Sequence, residues 1–258
     1  MSASSTRVAI VTGAAQGLGL AIALRLADDG LDVAVNDIPA KHAELQKIVI
    51  EIQGKGRRSL AVAADVSVEN EVRDMVDRVV NVLGGLDIMI ANAGVPFAKP
   101  LVETSVEEWE RIMAVNLRGV MLSYKHAAHQ MIKQGRGGRI IGASSVVGKK
   151  GFAYTAAYCA SKFAIRGLTQ CTALELKLHN ITVNAYAPGI IMTPIADHPD
   201  DTINGGRGST FKKMLGLPPT HPHAEPDVVA SIVSYLVKPE SYFITGQSIN
   251  VDGGWIFD

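Results

Sequence analysis

The 258-residue chain is poor in cysteine: Cys159 and Cys171 are its whole complement. Two such thiols build neither a disulfide framework nor a thiolate metal site, and a reducing compartment suits both. An excess of either charge is missing too, since 25 Lys and Arg balance 25 Asp and Glu. That balance gives no electrostatic footprint for nucleic acid or an anionic membrane, and neither is expected as a partner. Also lacking is any apolar run approaching the ~20 residues that span a bilayer. Residues 1–7 pass straight into an apolar strand with no long apolar stretch behind a basic start, so the expected location is the cytoplasm. Two histidine pairs, His126/His129 and His221/His223, bring no carboxylate or cysteine at ligand spacing, and no metal is expected. No internal repeat is visible.

What is present is an ordinary globular composition, 47% hydrophobic and 19% charged, in a length that suits one large α/β domain over 1–258. Short β-branched runs at 8–11, 33–36, 60–64, 88–91, 139–143, 181–185 and 247–251 alternate with longer amphipathic stretches. Apolar strands without strict in/out alternation belong in a parallel sheet covered on both faces. Helical patterns span 20–29, ending at Gly30, as well as 106–131 and 155–178. The expected architecture is therefore α/β, a doubly wound parallel sheet of about seven strands with helices on both faces. One segment breaks the rhythm: 194–226 is rich in Pro, Gly, His and Asn, and it follows a strand's carboxyl end. Ligands bind on that side of open α/β sheets, so a substrate-covering loop is expected there.

The first strand runs into a glycine turn, Thr12-Gly13-Ala14-Ala15-Gln16-Gly17-Leu18-Gly19, and a helix follows at once. Such a turn lets the backbone approach a pyrophosphate, which then rests on the positive helix N-terminus. Asp37 stands 18 residues past Gly19, at the end of the second strand, where a carboxylate accepts from ribose hydroxyls and repels a 2′-phosphate. Asn36 and Ile38 flank it and Gln16 sits in the turn, a pattern that favours NAD over NADP, with Lys41, the nearest cation, as the feature that points the other way. Asp65-Val66 after the third strand and Asn92-Ala93-Gly94 after the fourth suit the same groove or ordinary turn chemistry. Pro188-Gly189 ends the sixth strand, and with Ile191 and Thr193 it stands where a nicotinamide carboxamide would bind.

Tyr158 and Lys162 lie at i and i+4, on one face of a helix. A free phenol titrates near 10, and a nearby lysine favours the phenolate; lowering it by ~3 units takes ~4 kcal/mol. Ser145, 13 residues before Tyr158 at the end of the fifth strand, can hold a substrate oxygen. Asn116 sits mid-helix, where asparagine has poor propensity. Cys159 points off the Tyr/Lys face and receives no redox role.

These motifs, in this order and spacing and down to Asp252-Gly253-Gly254, resemble the short-chain dehydrogenase/reductase family along essentially the whole chain. Ala91 in place of the usual asparagine before Asn92 is a mild departure. The resemblance implies a dinucleotide-binding fold in which Tyr158 is the general acid/base. Lys162 would lower its pKa and bind the nicotinamide ribose, Ser145 would orient the carbonyl, and Asn116 would hold a water linking Lys162 to solvent. It further implies a homotetramer paired through the fourth and fifth helices.

The wording around 161–170 and 187–190 is similar to acetoin and diacetyl reductases. The corresponding pocket positions here are Val146, Phe152 and Ala196, an apolar wall that gains little from a second carbonyl oxygen. Each buried methylene contributes ~0.8 kcal/mol, so a secondary alcohol or ketone on a hydrophobic, cyclic skeleton (terpenoid- or steroid-like) is expected, with a small acyloin as the alternative. A nucleotide-binding scaffold without catalysis would have lost Ser, Tyr or Lys. An epimerase working through a transient ketone would show no net change in NADH.

Overall fold

The computed structural model describes residues 6–257. Seven strands, β1 (Val8–Thr12), β2 (Asp32–Asp37), β3 (Ser59–Ala63), β4 (Ile88–Ala91), β5 (Gly138–Ala143), β6 (Ile181–Pro188) and β7 (Ser248–Val251), form one sheet in the order β3-β2-β1-β4-β5-β6-β7. Every pairing is parallel. The chain order reverses at β1, which lies between β2 and β4, and a crevice opens beyond the strand ends at that switch point.

Among the described residues nine α-helices follow in chain order: α1 (Gly17–Asp28), α2 (His42–Gly54), α3 (Glu69–Leu83), α4 (Val106–Met113), α5 (Gly119–Gln134), α6 (Ala156–Leu176), α7 (Asp201–Asn204), α8 (Ser209–Met214) and α9 (Pro226–Leu236). Successive side chains of a strand point to opposite faces, so each strand feeds two cores. Ile10, Val62 and Met89 pack with Met75 and Val79 of α3, Tyr124 of α5 and Ile165 of α6. Val11, Val35 and Ile90 pack with Ile22 of α1, Ile52 of α2 and Val233 of α9. The expected doubly wound sheet is what these residues build.

Buried carboxylates fasten the edge of the sheet remote from the crevice. Asp32, at the start of β2, meets Arg57 at 3.0 Å and Arg58 at 2.8 Å. Asp87, just before β4, meets Arg136 at 2.7 Å and accepts from the Val8 amide at 2.8 Å.

One expectation needs correcting. The pattern over 106–131 predicts one uninterrupted helix, but it is broken by a π-turn at Ala114–Arg118 between α4 and α5. The apolar period persists across the break, which is why the pattern does not reveal it. Ser105 and Glu108 close a capping box at the start of α4.

The segment 194–226 is folded. A 3₁₀ turn (Pro194–Ala196), α7 and α8 make a flap whose base is closed by a bridge between Ile191 and Ala224. Asp201 accepts from the amides of His198, Gly208 and Thr210 at 2.8–3.1 Å. Lys212 is buried, donating to the Pro219 carbonyl at 2.8 Å and lying 3.0 Å from His223 Nδ1. No helix among the described residues is long and apolar enough to cross a membrane.

Candidate active site

The glycine turn between β1 and α1 is built by contact. A Cβ on Gly19 would run into the Gly13 carbonyl oxygen, and one on Gly13, at φ +63°, would lie 2.8 Å from Ala93 Cα. Asn92 locks the arrangement, donating to the carbonyls of Thr12 (2.9 Å) and Gly13 (3.2 Å) and accepting from Tyr186 Oη (2.8 Å). Its side chain is consumed inside the protein, so Asn92 shapes the groove from behind. Gln16, the N-cap of α1, makes no side-chain cap bond, and Leu18 packs against the core cluster under α1. The resulting cradle, backbone at a helix N-terminus with no room for side chains, fits a pyrophosphate.

Asp37 leans back onto that turn. One carboxylate oxygen accepts from the Ala15 amide at 3.1 Å and the other from the Ile38 amide at 2.9 Å. Lys41, the nearest cation in sequence, is paired with Glu44 at 3.2 Å. Asp65 accepts from the amide and hydroxyl of Ser67 at 2.8 and 2.7 Å, an Asx turn, and Val66 is buried against Gly119. Pro188 and Gly189 close β6, with the Gly189 amide donating to Val251 at 3.0 Å. Ile191 and Thr193 are buried just beyond, and a Cβ on Gly17 would lie 3.5 Å from the Thr193 side chain. The two strand ends therefore face each other across the crevice.

Ser145, Tyr158, Lys162 and Asn116 come together at the end of β5. The Ser145 hydroxyl, which accepts from the Val147 amide at 3.3 Å, acts on the Tyr158 phenol to lower its pKa. Lys162 is buried, donates to the Ala143 carbonyl at 2.7 Å, and holds its ammonium 5.4 Å from the Tyr158 ring centre. Asn116, at the centre of the π-turn, accepts from the Val95 amide (2.8 Å) and donates to the Val95 carbonyl (3.0 Å). A Cβ on Gly94 would sit 3.3 Å from Asn116 Oδ1 and 3.6 Å from Lys162 Nζ, which shows how tightly β4's end, the π-turn and α6 meet. π-turns inside α-helices often mark such sites.

Burial dominates the electrostatics of this pair in the cofactor-free chain. Burial pushes the Tyr158 phenol up to about 12, opposed by the bond to Ser145, and pulls the Lys162 ammonium down to about 8. Burial disfavours the charged form of each group, which raises the phenol and lowers the ammonium.

Around Tyr158 the surface is apolar. Phe152, Tyr158 and Trp255 pack on Val146, Val147 and Ile256. Ala196 lies in the adjoining cluster with Ile190, Met192, Phe211 and Leu217, to which Trp255 also belongs. The sequence assigns no role to Trp255, and its neighbour His221 stands out there only as half of a histidine pair. The available signal was Asp252-Gly253-Gly254, a turn immediately before a large aromatic. The two histidine pairs find other partners: His221 lies against Trp255, His223 against Lys212, and His126 is 3.5 Å from Glu69. Cys159 Sγ points to the Val147 carbonyl at 3.0 Å.

Comparison with known proteins agrees with this geometry. Residues 7–203 match the family described as short chain dehydrogenase. A short-chain dehydrogenase/reductase of Armillaria gallica is 51% identical over 257 residues, covering 100% of this chain and 98% of that one. An L-2,3-butanediol dehydrogenase of Corynebacterium glutamicum is 37% identical, covering 98% of this chain and 100% of the relative. The crystal structure of a short chain dehydrogenase from Burkholderia cenocepacia, in complex with NADP, superposes with a TM-score of 0.85 at 34% identity, covering 97% of each chain.

Proposed function

The chain belongs to the short-chain dehydrogenase family, and from that premise we propose that it is an NAD(H)-dependent oxidoreductase interconverting a secondary alcohol and a ketone on a hydrophobic, cyclic skeleton of terpenoid or steroid kind. The observation that carries the substrate reading is the apolar surround of Tyr158, with Val146 and Phe152 on one side and Ala196 on the flap side. Small diketones gain little from such walls, whereas each buried ring methylene contributes about 0.8 kcal/mol.

The cradle between Gly13 and Gly19 would hold the pyrophosphate, Asp37 the adenosine ribose, Lys162 the nicotinamide ribose, and Thr193 with Ile191 the carboxamide. Asp65, Val66, Ala93 and Gly94 would border the adenine and ribose groove. When bound, the nicotinamide supplies the hydride chemistry. Tyr158 handles the proton: its phenol gives a proton to the carbonyl oxygen in reduction, and its phenolate takes one from the hydroxyl in oxidation. Ser145 donates to the substrate oxygen while negative charge gathers there. The Lys162 ammonium, too far from bulk water to be screened, stabilises the phenolate. Asn116 positions the turn beside Lys162 and is the candidate for holding a connecting water.

Preference for NAD rests on Asp37, whose charge repels a 2′-phosphate, and on Lys41 being neutralised by Glu44. The flap over 194–226 covers the substrate, and exposed apolar residues such as Val106, Met121 and Ile132 on α4 and α5 suit pairing into a homotetramer.

A small acyloin substrate is the second reading, favoured by the 37% identity to an L-2,3-butanediol dehydrogenase. Steady-state oxidation of NADH and NADPH, followed by absorbance against matched panels of diketones and cyclic ketones, separates the two. NADH-dependent turnover of cyclic ketones is expected. A higher efficiency with diacetyl would replace the substrate reading, and preference for NADPH would refute the role given to Asp37.

A further inference from the structure

The two apolar clusters beside Tyr158 come from different parts of the chain, and Trp255 is the one residue common to both. On one side are Val146 and Phe152, carried by the loop between β5 and α6; on the other are Ala196, Phe211 and Leu217 of the flap. The indole sits 5.2 Å from the Phe152 ring at a 58° tilt and 4.7 Å from His221 edge-on at 67°. Those separations lie in the attractive range for aromatic pairs.

Trp255 is held by the tail and lies outside the flap segment. Asp252 accepts from the amides of Gly254 (3.0 Å) and Ile256 (2.8 Å), and Asn250 donates to the Ile256 carbonyl at 2.6 Å. Gly253 and Gly254, at φ +66° and +82°, make the reversal that this network requires. The turn also presses on the end of β6: a Cβ on Gly189 would lie 2.9 Å from Asp252 Cβ. A tight, sheet-anchored turn thus presents a half-buried indole between a fixed wall and a separately folded flap.

We infer that Trp255 is a specificity-determining residue that contacts the ring of the substrate on the far side from Ser145 and Tyr158, with Phe152 and His221 completing an aromatic corner. This inference rests on the hydrophobic-ketone reading above. A flat apolar ring covers the corner that the touching indole and phenyl rings make, and a four-carbon diketone covers little of it. His221, at the edge of the corner, is a polar side chain that suits a second oxygen remote from the reacting carbon.

The test has two arms. In the NAD(H)-loaded enzyme, Trp255→Ala should lower the ratio of kcat/KM for a cyclic ketone over that for diacetyl by about 10-fold or more, mainly through KM, with Trp255→Phe keeping most of it. NADH affinity, read by fluorescence titration, should stay within about 2-fold because the indole lies away from the glycine turn. In the second arm, Trp109→Phe leaves Trp255 as the sole tryptophan, and adding Tyr158→Phe prevents turnover. Titrating that NAD-loaded protein with a cyclic secondary alcohol should give a saturable change in emission. An unchanged ratio, a loss matched by an equal fall in NADH affinity, or alcohol binding by calorimetry without an emission change would each overturn the inference. If the wild type reduces diacetyl and no cyclic ketone, the substrate reading fails. Trp255 is then decided by its emission on diacetyl binding and by whether Trp255→Ala admits the cyclic ketones.

Discussion

Replacing Lys162 with methionine should make the cofactor-free protein more stable at neutral pH while abolishing its activity. Lys162 is 3% exposed, and burial pulls its ammonium from 10.5 down to about 8. The unfolded chain binds that proton more tightly than the folded one. Below pH 8 both forms are charged and the fold carries the whole cost; above 10.5 both are neutral and the cost is gone. At about 1.4 kcal/mol per pKa unit, this comes to roughly 3 kcal/mol. Methionine removes the charge but also the 2.7 Å bond to the Ala143 carbonyl, and leaving that acceptor unmet costs about 1 kcal/mol. The net gain expected for Lys162→Met is therefore about 2 kcal/mol at pH 7, turning into a loss of up to about 1 kcal/mol by pH 10.5, where the wild type has shed its desolvation cost and keeps the bond. Urea unfolding of both proteins at fixed concentration from pH 6 to pH 10.5 measures it. A variant less stable than wild type by the same amount at every pH would refute the reasoning, since it would show that the ammonium contributes packing and no desolvation cost.

Two further substitutions probe the site from other directions. Tyr158→Phe should lower turnover by ~10²–10⁴-fold with NADH binding intact, and in the wild type alcohol oxidation should climb with pH because it needs the phenolate of a group raised to about 12. Near-wild-type turnover in the variant would assign the proton to another group. Gly19→Ala should destabilise the chain by about 1–3 kcal/mol and abolish NADH binding, because the new methyl runs into the Gly13 carbonyl and lies 2.7 Å from Asn92 Nδ2. Unaltered melting and NADH affinity would show that the turn has slack that its geometry denies.

Much of this was legible in the sequence, for identifiable reasons. The seven strands announce themselves because parallel strands buried on both faces are continuous apolar runs, and the structure moves their ends by only a few residues. Tyr158, Lys162 and Ser145 are readable because a helix period and a strand end fix where they fall. Three things were not readable. Asn92 looks like a ligand-facing turn residue, yet its amide is spent on Thr12 and Gly13, partners 80 and 79 positions away. The phenol's upward shift depends on how much protein surrounds Tyr158, which no local pattern encodes. Trp255 follows an ordinary turn signal and acquires its place only when the tail, the flap and the loop after β5 converge.

The π-turn at Ala114–Arg118 gives Asn116 a wider turn than the helices on either side of it. Each residue added to or removed from a regular helix turns everything after it by roughly 100°. The π-turn holds one residue more than an α-turn, so losing one there would restore regular winding and leave Val120, Tyr124, Ala127 and Met131 on the core that they now fill. Such a deletion would therefore present itself first as lost chemistry at Asn116, whereas one within α4 or α5 would present itself as misfolding. The spacing within α4 and within α5 should tolerate drift in letters and none in number.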